Sequence, residues 1–130
     1  MCEFKVAIRR GDSEDKIAED IIKVFHEDEK LVLMDILGNK TLAEGALIAN
    51  VDVSDEKIEI LQQPIVGSLI KFLEKFFECL QKGTYNLEIE EAWKEVKSRG
   101  EFMIKELREK YGKKLSNAQQ RPIKLIKGSG

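Results

Sequence analysis

The chain has 130 residues and a mass of 14.9 kDa, room for one compact domain or two very small ones. Apolar residues make up 42% and charged residues 35%, enough apolar matter for a core, so wholesale disorder is not expected. No apolar run approaches the roughly 20 residues that a membrane-crossing helix needs.

The formal net charge of −2 is unevenly spread. Residues 1–62 carry 8 basic and 15 acidic side chains, residues 63–110 carry 9 of each, and residues 111–130 carry 5 basic ones and no acid. An acidic first half repels phosphates, so nucleic acid binding is not expected of it. The basic tail (Lys113, Lys114, Arg121, Lys124, Lys127) could touch nucleic acid, but a solvated or internally paired tail is the plainer reading. Gly128-Ser129-Gly130 reads as a flexible end. Behind Met1-Cys2-Glu3-Phe4-Lys5 there is no apolar stretch, so neither a secretory signal nor a lipid anchor on Cys2 is expected. Two cysteines in such a chain suggest a reducing cytoplasm and no structural disulfide.

In the first half the apolar period is two. Phe4, Val6 and Ile8 alternate with Lys5, Ala7 and Arg9, and Gly11-Asp12-Ser13 ends that strand with loop chemistry. Ile17 to Phe25 is a second apolar-rich run, closed by the polar turn Glu27-Asp28-Glu29. Lys30 to Leu37 is nearly continuous apolar and suits a strand buried on both faces. If Val32, Met34 and Ile36 point inward, Leu31 and Leu33 need cover from a helix or a second subunit. Gly38-Asn39 reads as a tight turn, Lys40 to Ala43 as a short return, Ala46 to Val53 as an alternating strand, and Lys57 to Leu61 as the last strand. The spacing of about 10 residues predicts a small five-stranded antiparallel β-barrel.

At Pro64 the period changes. Val66, Leu69, Ile70, Leu73, Phe76, Phe77 and Leu80 follow helical spacing, and Gly83 is placed to end that helix. Asn86 can cap a second helix, from about Leu87 to about Tyr111, with Ile89, Trp93, Val96, Met103 and Leu107 on one side. The two should form a hairpin that packs on itself and on the barrel, with Trp93 and the Phe72/Phe76/Phe77 group as core. The predicted class is α+β: a barrel over 1–62, a helical hairpin over 63–112 and a basic tail over 113–130.

Cys2 is the most distinctive chemical group. Its side chain is small, so a methionine before it is removable, which leaves an amine and a thiol on one residue. Together they close a five-membered chelate on a metal. Two such residues across a dimer axis supply two nitrogens and two sulfurs, a donor set suited to square-planar Ni(II) or Cu(II). Cys2 also shares the parity of Phe4, Val6 and Ile8, and a small core residue is the alternative. Cys79 lies in an apolar helical stripe and reads as core. His26, the one histidine, reads as an exposed strand-end residue. A nucleophilic pair of Cys2 and His26 lacks identifiable oxyanion partners. Glu27-Asp28-Glu29 lacks EF-hand spacing, and Gly11, Gly38 and Gly45 are too scattered to cradle phosphate.

Several stretches together resemble the CooT family of nickel-binding accessory proteins of carbon monoxide dehydrogenase maturation. They are Met1-Cys2, Lys5-Val6, Asp20-Ile21, Asp35-Ile36-Leu37-Gly38-Asn39-Lys40, and Gly45-Ala46-Leu47-Ile48-Ala49-Asn50-Val51-Asp52. The resemblance covers roughly residues 1–62 and implies a compact barrel, a homodimer, and Ni(II) held by the N-terminal cysteine. Only Cys2 carries a ligand role over. It further implies a cytoplasmic, non-enzymatic metallochaperone with a client metalloenzyme. The helical half is an addition to that pattern. The competing reading is a metal-free protein- or RNA-interaction module using the barrel and basic tail, and a third is a small thiol-dependent enzyme.

Overall fold

The structure is a computed structural model and describes residues 3–114. Two compact units divide the chain, residues 1–99 and 100–130. The first unit contains six strands: β1 (Phe4–Arg10), β2 (Ser13–Glu27), β3 (Lys30–Asp35), β4 (Lys40–Glu44), β5 (Ala46–Asp52) and β6 (Lys57–Gln62). Helix α1 (Pro64–Lys82) and the first half of α2 (Glu88–Tyr111) follow.

The strands form one sheet in the order β4-β3-β2-β1-β6-β5. The expected five-stranded antiparallel barrel is therefore corrected to a curled six-stranded mixed sheet, a half-barrel, within the expected α+β class. Each pair joined by a turn is antiparallel, but the interior β1–β6 pair runs parallel, with Val6 opposite Ile58 and Ile8 opposite Ile60. That pair joins residues some 50 positions apart, a contact on which local alternation carries no information.

The curl follows from connectivity. The edge strands β4 and β5 are joined by the single residue Gly45, so the sheet bends until its two edges meet at that corner. Gly45 has φ of 61°, and a Cβ there would lie 2.8 Å from the carbonyl oxygen of Gln63. The Gln63 N–H donates to the Gly45 carbonyl at 2.9 Å, tying the end of β6 to the same corner. Strand β2 supplies more of the bend. Its register slips against β1 between Phe4 and Ala7 and against β3 between Ile21 and Lys23, and Asp20 has φ of 59°. Bulges of this kind sharpen local twist, letting one long strand pair first with β1 and then with β3.

The core is made by Val6, Ile8, Ile21, Leu31, Leu33, Ala43, Ala46, Ile58 and Ile60. Strand β3 is sealed on both faces, as its apolar run implied, but Leu31 and Leu33 are the residues in this core. The alternative placement of Met34 and Ile36 inside is corrected: Met34 is half-buried and Ile36 exposed. The hairpin β2–β3 pairs Val24 with Leu33 and His26 with Leu31, and that register decides which parity faces inward.

Pro64 opens α1, and Gly83 closes it with φ of 65° and its N–H on the Cys79 carbonyl at 2.9 Å. Asn86 caps α2, its Oδ1 accepting from the Glu88 N–H at 2.9 Å. The Phe72 and Trp93 rings meet at 5.3 Å, and Lys75 pairs with Glu88 at 2.8 Å. Ser68 and Ala92 are buried, small side chains on α1 and α2 respectively. The expectation that the helical aromatics form core is corrected. Phe76, Phe77 and Trp93 are exposed and Phe72 is only half-buried, because only one flank of α1 is covered. In the unit 100–130, the end of α2 carries Phe102, Ile104, Leu107 and Tyr111, all exposed.

Candidate functional site

Cys2, the expected metal ligand, lies outside the described residues, as does the basic tail from residue 115 onward. The strand that follows Cys2 is well anchored. The Lys5 N–H donates to the Glu56 carbonyl at 2.9 Å, Phe4 pairs with Ile21, and Val6 and Ile8 are buried in the core. Strand β1, which begins at Phe4, lies inside the sheet, between β2 and β6.

Among the described residues no three His, Cys, Asp or Glu side chains converge to hold a metal ion. His26 is exposed near the end of β2, and Cys79 is half-buried on α1. Cys2 is not among the described residues to which the absence of such a cluster applies.

The stretches that resemble the CooT pattern have structural employment. Asp35 accepts from the backbone N–H groups of Leu37 at 2.9 Å and Asn39 at 2.8 Å and from the Asn39 amide at 3.3 Å. Desolvation pulls the other way, yet these bonds hold its carboxyl below the ordinary range. Asp52 is held low by the Asp55 N–H and the Ser54 hydroxyl. Asp20 presents its carbonyl to the Ile36 N–H at 3.1 Å. Of the Gly38-Asn39 pair, only Gly38 has positive φ, at 87°. These residues shape turns and corners.

On the polar face of β1 and β6, Arg9 pairs with Glu59 at 3.2 Å and Lys57 with Glu14 at 3.1 Å. Glu14 is held below its usual value by hydrogen bonding with Glu59 and Lys57. In this network each basic side chain faces an acidic one. A cleft of about 900 Å³ lies beside the Gly45 corner, where Arg10, Lys30, Glu44, Gln62, Glu95 and Arg99 mix both signs of charge. The sequence singled out neither this cleft nor the corner, because both arise from distant segments.

These features define a small curled β-sheet domain with a helical extension, its turns set by Asx contacts and one corner glycine. Residues 1–61 match the family model described as CO dehydrogenase accessory protein CooT. The resemblance read from the sequence is thus shown for the N-terminal half. A crystal structure described as "putative CooT from Carboxydothermus hydrogenoformans" is similar at 27% identity, covering 48% of this chain and 98% of that one, with a TM-score of 0.44. No curated protein matches the chain. No described helix is long and apolar enough to cross a membrane.

Proposed function

We propose that the protein is a nickel-binding accessory protein for a carbon monoxide dehydrogenase, acting as a cytoplasmic, non-enzymatic metallochaperone. The observation that carries this reading is the match of residues 1–61 to the CooT family. Cys2 supplies the metal ligand through its thiolate and, once Met1 is removed, its amine. Two protomers together complete the donor set. Both donors lose a proton on binding, so affinity rises with pH. The client is the nickel enzyme itself, and the acidic surface of residues 1–62 favours the approach of a cation.

The test is a titration of metal-free full-length protein with Ni(II), following thiolate-to-metal absorption, with intact mass reporting the loss of Met1. Cys2→Ala abolishes the absorption and Cys79→Ala retains it. Identical titrations of wild type and Cys2→Ala overturn the reading. Salt-sensitive nucleic acid binding by protein that takes up no nickel would favour the interaction module instead.

A further inference from the structure

Within residues 64–99 the two helices leave an apolar surface open along their seam. At about 100° per residue, Leu69, Leu73, Phe76 and Leu80 share one arc of α1, and they are 40%, 41%, 41% and 64% exposed. Ile89, Trp93 and Lys97 follow one another four residues apart and form one row of α2. Phe72 joins the two surfaces through its ring contact with Trp93, which is itself 47% exposed. Phe72, Ile89 and Trp93 line a groove of about 490 Å³, with Glu90, Lys94 and Lys97 beside them.

The two rims of this surface carry opposite charge. On α1, Glu74 follows Phe77 around the helix on the side away from Phe72, and on α2, Lys97 follows Trp93. Among the described residues neither Glu74 nor Lys97 has an ion-pair partner, whereas Lys94 pairs with Glu91 at 3.5 Å and Glu90 accepts from the Tyr85 hydroxyl.

We propose that this groove seats one amphipathic helix of a different protein, apolar on its buried face, acidic along the edge that meets Lys97 and basic along the edge that meets Glu74. Area and charge select that occupant. Leu69, Leu73, Phe76, Leu80 and Trp93 leave on the order of 500 Å² uncovered, taking about 200 Å² for a large side chain. A small molecule needs most of its own surface enclosed and would leave much of this one wet, whereas a helix of roughly three turns covers it in the helix-in-groove mode. An anionic bilayer would attract Lys97 and repel Glu74, so the opposed rims favour an occupant that carries both signs. The same opposition fixes direction, because turning the helix end for end exchanges its edges. The proposal goes beyond nickel binding and does not depend on it.

The test uses metal-free, full-length protein and the emission of Trp93, the one tryptophan of the chain. The probe is a synthetic helical peptide of about 18 residues without Trp or Tyr, with leucines at helical spacing on one face, Glu along one edge and Lys along the other. Two comparison peptides keep the leucine face and carry Glu on both edges or Lys on both. The mixed-edge peptide is expected to move Trp93 emission to the blue and to bind roughly fivefold more tightly than either comparison peptide. Lys97→Glu, at an exposed position, leaves two acidic rims and makes the peptide with Lys on both edges the tightest binder. Leu73→Glu keeps native helicity by circular dichroism and loses the emission shift. No shift with the mixed-edge peptide up to about 200 µM overturns the proposal. Equal binding of all three peptides, or an order unchanged by Lys97→Glu, overturns it too. A shift produced by phosphatidylglycerol vesicles and not by peptide would assign the surface to a membrane, and a shift produced by raising protein concentration alone would assign it to a second copy. Either result overturns the proposal, and none of these outcomes bears on the nickel titration.

Discussion

The sheet and the helices solve the same problem differently. In the sheet, Val6, Ile8, Leu31, Leu33 and Ile60 are at most 1% exposed, and the curl closes two edge strands over a single core. In α1, an equally apolar stripe finishes half open, with leucines and phenylalanines 40% to 64% exposed. The contrast teaches that apolar periodicity identifies a face to be covered and says nothing of whether the cover lies within the chain. The sheet is self-sufficient because bulges and a one-residue corner bring its own edges together. The helices offer two stripes and cover only a seam around Phe72 and Trp93.

Substitutions can break or sharpen that contrast. The largest effect is expected at Leu31→Ala, where a fully buried side chain leaves a cavity, costing about 2–5 kcal/mol in a urea melt. Gly45→Ala is expected to cost about 2 kcal/mol, since a left-handed backbone and the Gln63 carbonyl both reject a Cβ. A smaller change at either site would mean that the sheet is more pliable than its corner implies. Leu80→Ala, at a position 64% exposed, should stay within about 0.5 kcal/mol of wild type. A cost comparable to that of Leu31→Ala would erase the distinction between the two regions.

The smallest expected effect is electrostatic. The Asp35 carboxyl is held below its ordinary value by the N–H groups of its turn. Its contribution is therefore fully present above the unfolded carboxylate pKa of about 3.9 and fades as pH falls through the lower, folded value. Asp35→Asn should lower the melting temperature slightly at pH 7, and the gap from wild type should narrow in acid below about pH 4. A gap independent of pH would show that the turn needs the side chain's shape and not its charge.

Much of the architecture was legible in local chemistry. Alternation located the strands, the Pro64, Gly83 and Asn86 signals bounded the helices, and the stretches from Asp35 to Lys40 and from Gly45 to Asp52 pointed to the CooT-like half. What misled was parity in Lys30–Leu37. A continuously apolar run offers no polar face to fix its inward side, so the register with β2 had to choose Leu31 and Leu33. Likewise Ser13–Ile17 is largely charged, and its place in β2 came from pairing with β1 rather than from propensity. For the candidate site, the sequence supplied Cys2 through the chemistry of one residue, and the structure added how firmly the following strand is held.

The sequence by itself determined where most of the chain is extended and where it is helical, because each is written in neighbouring residues. Only the tertiary structure decided that β1 and β6 run parallel, that the sheet turns on Gly45, and that the α1 stripe stays open. Those outcomes depend on segments tens of residues apart meeting or failing to meet, and no local period records that.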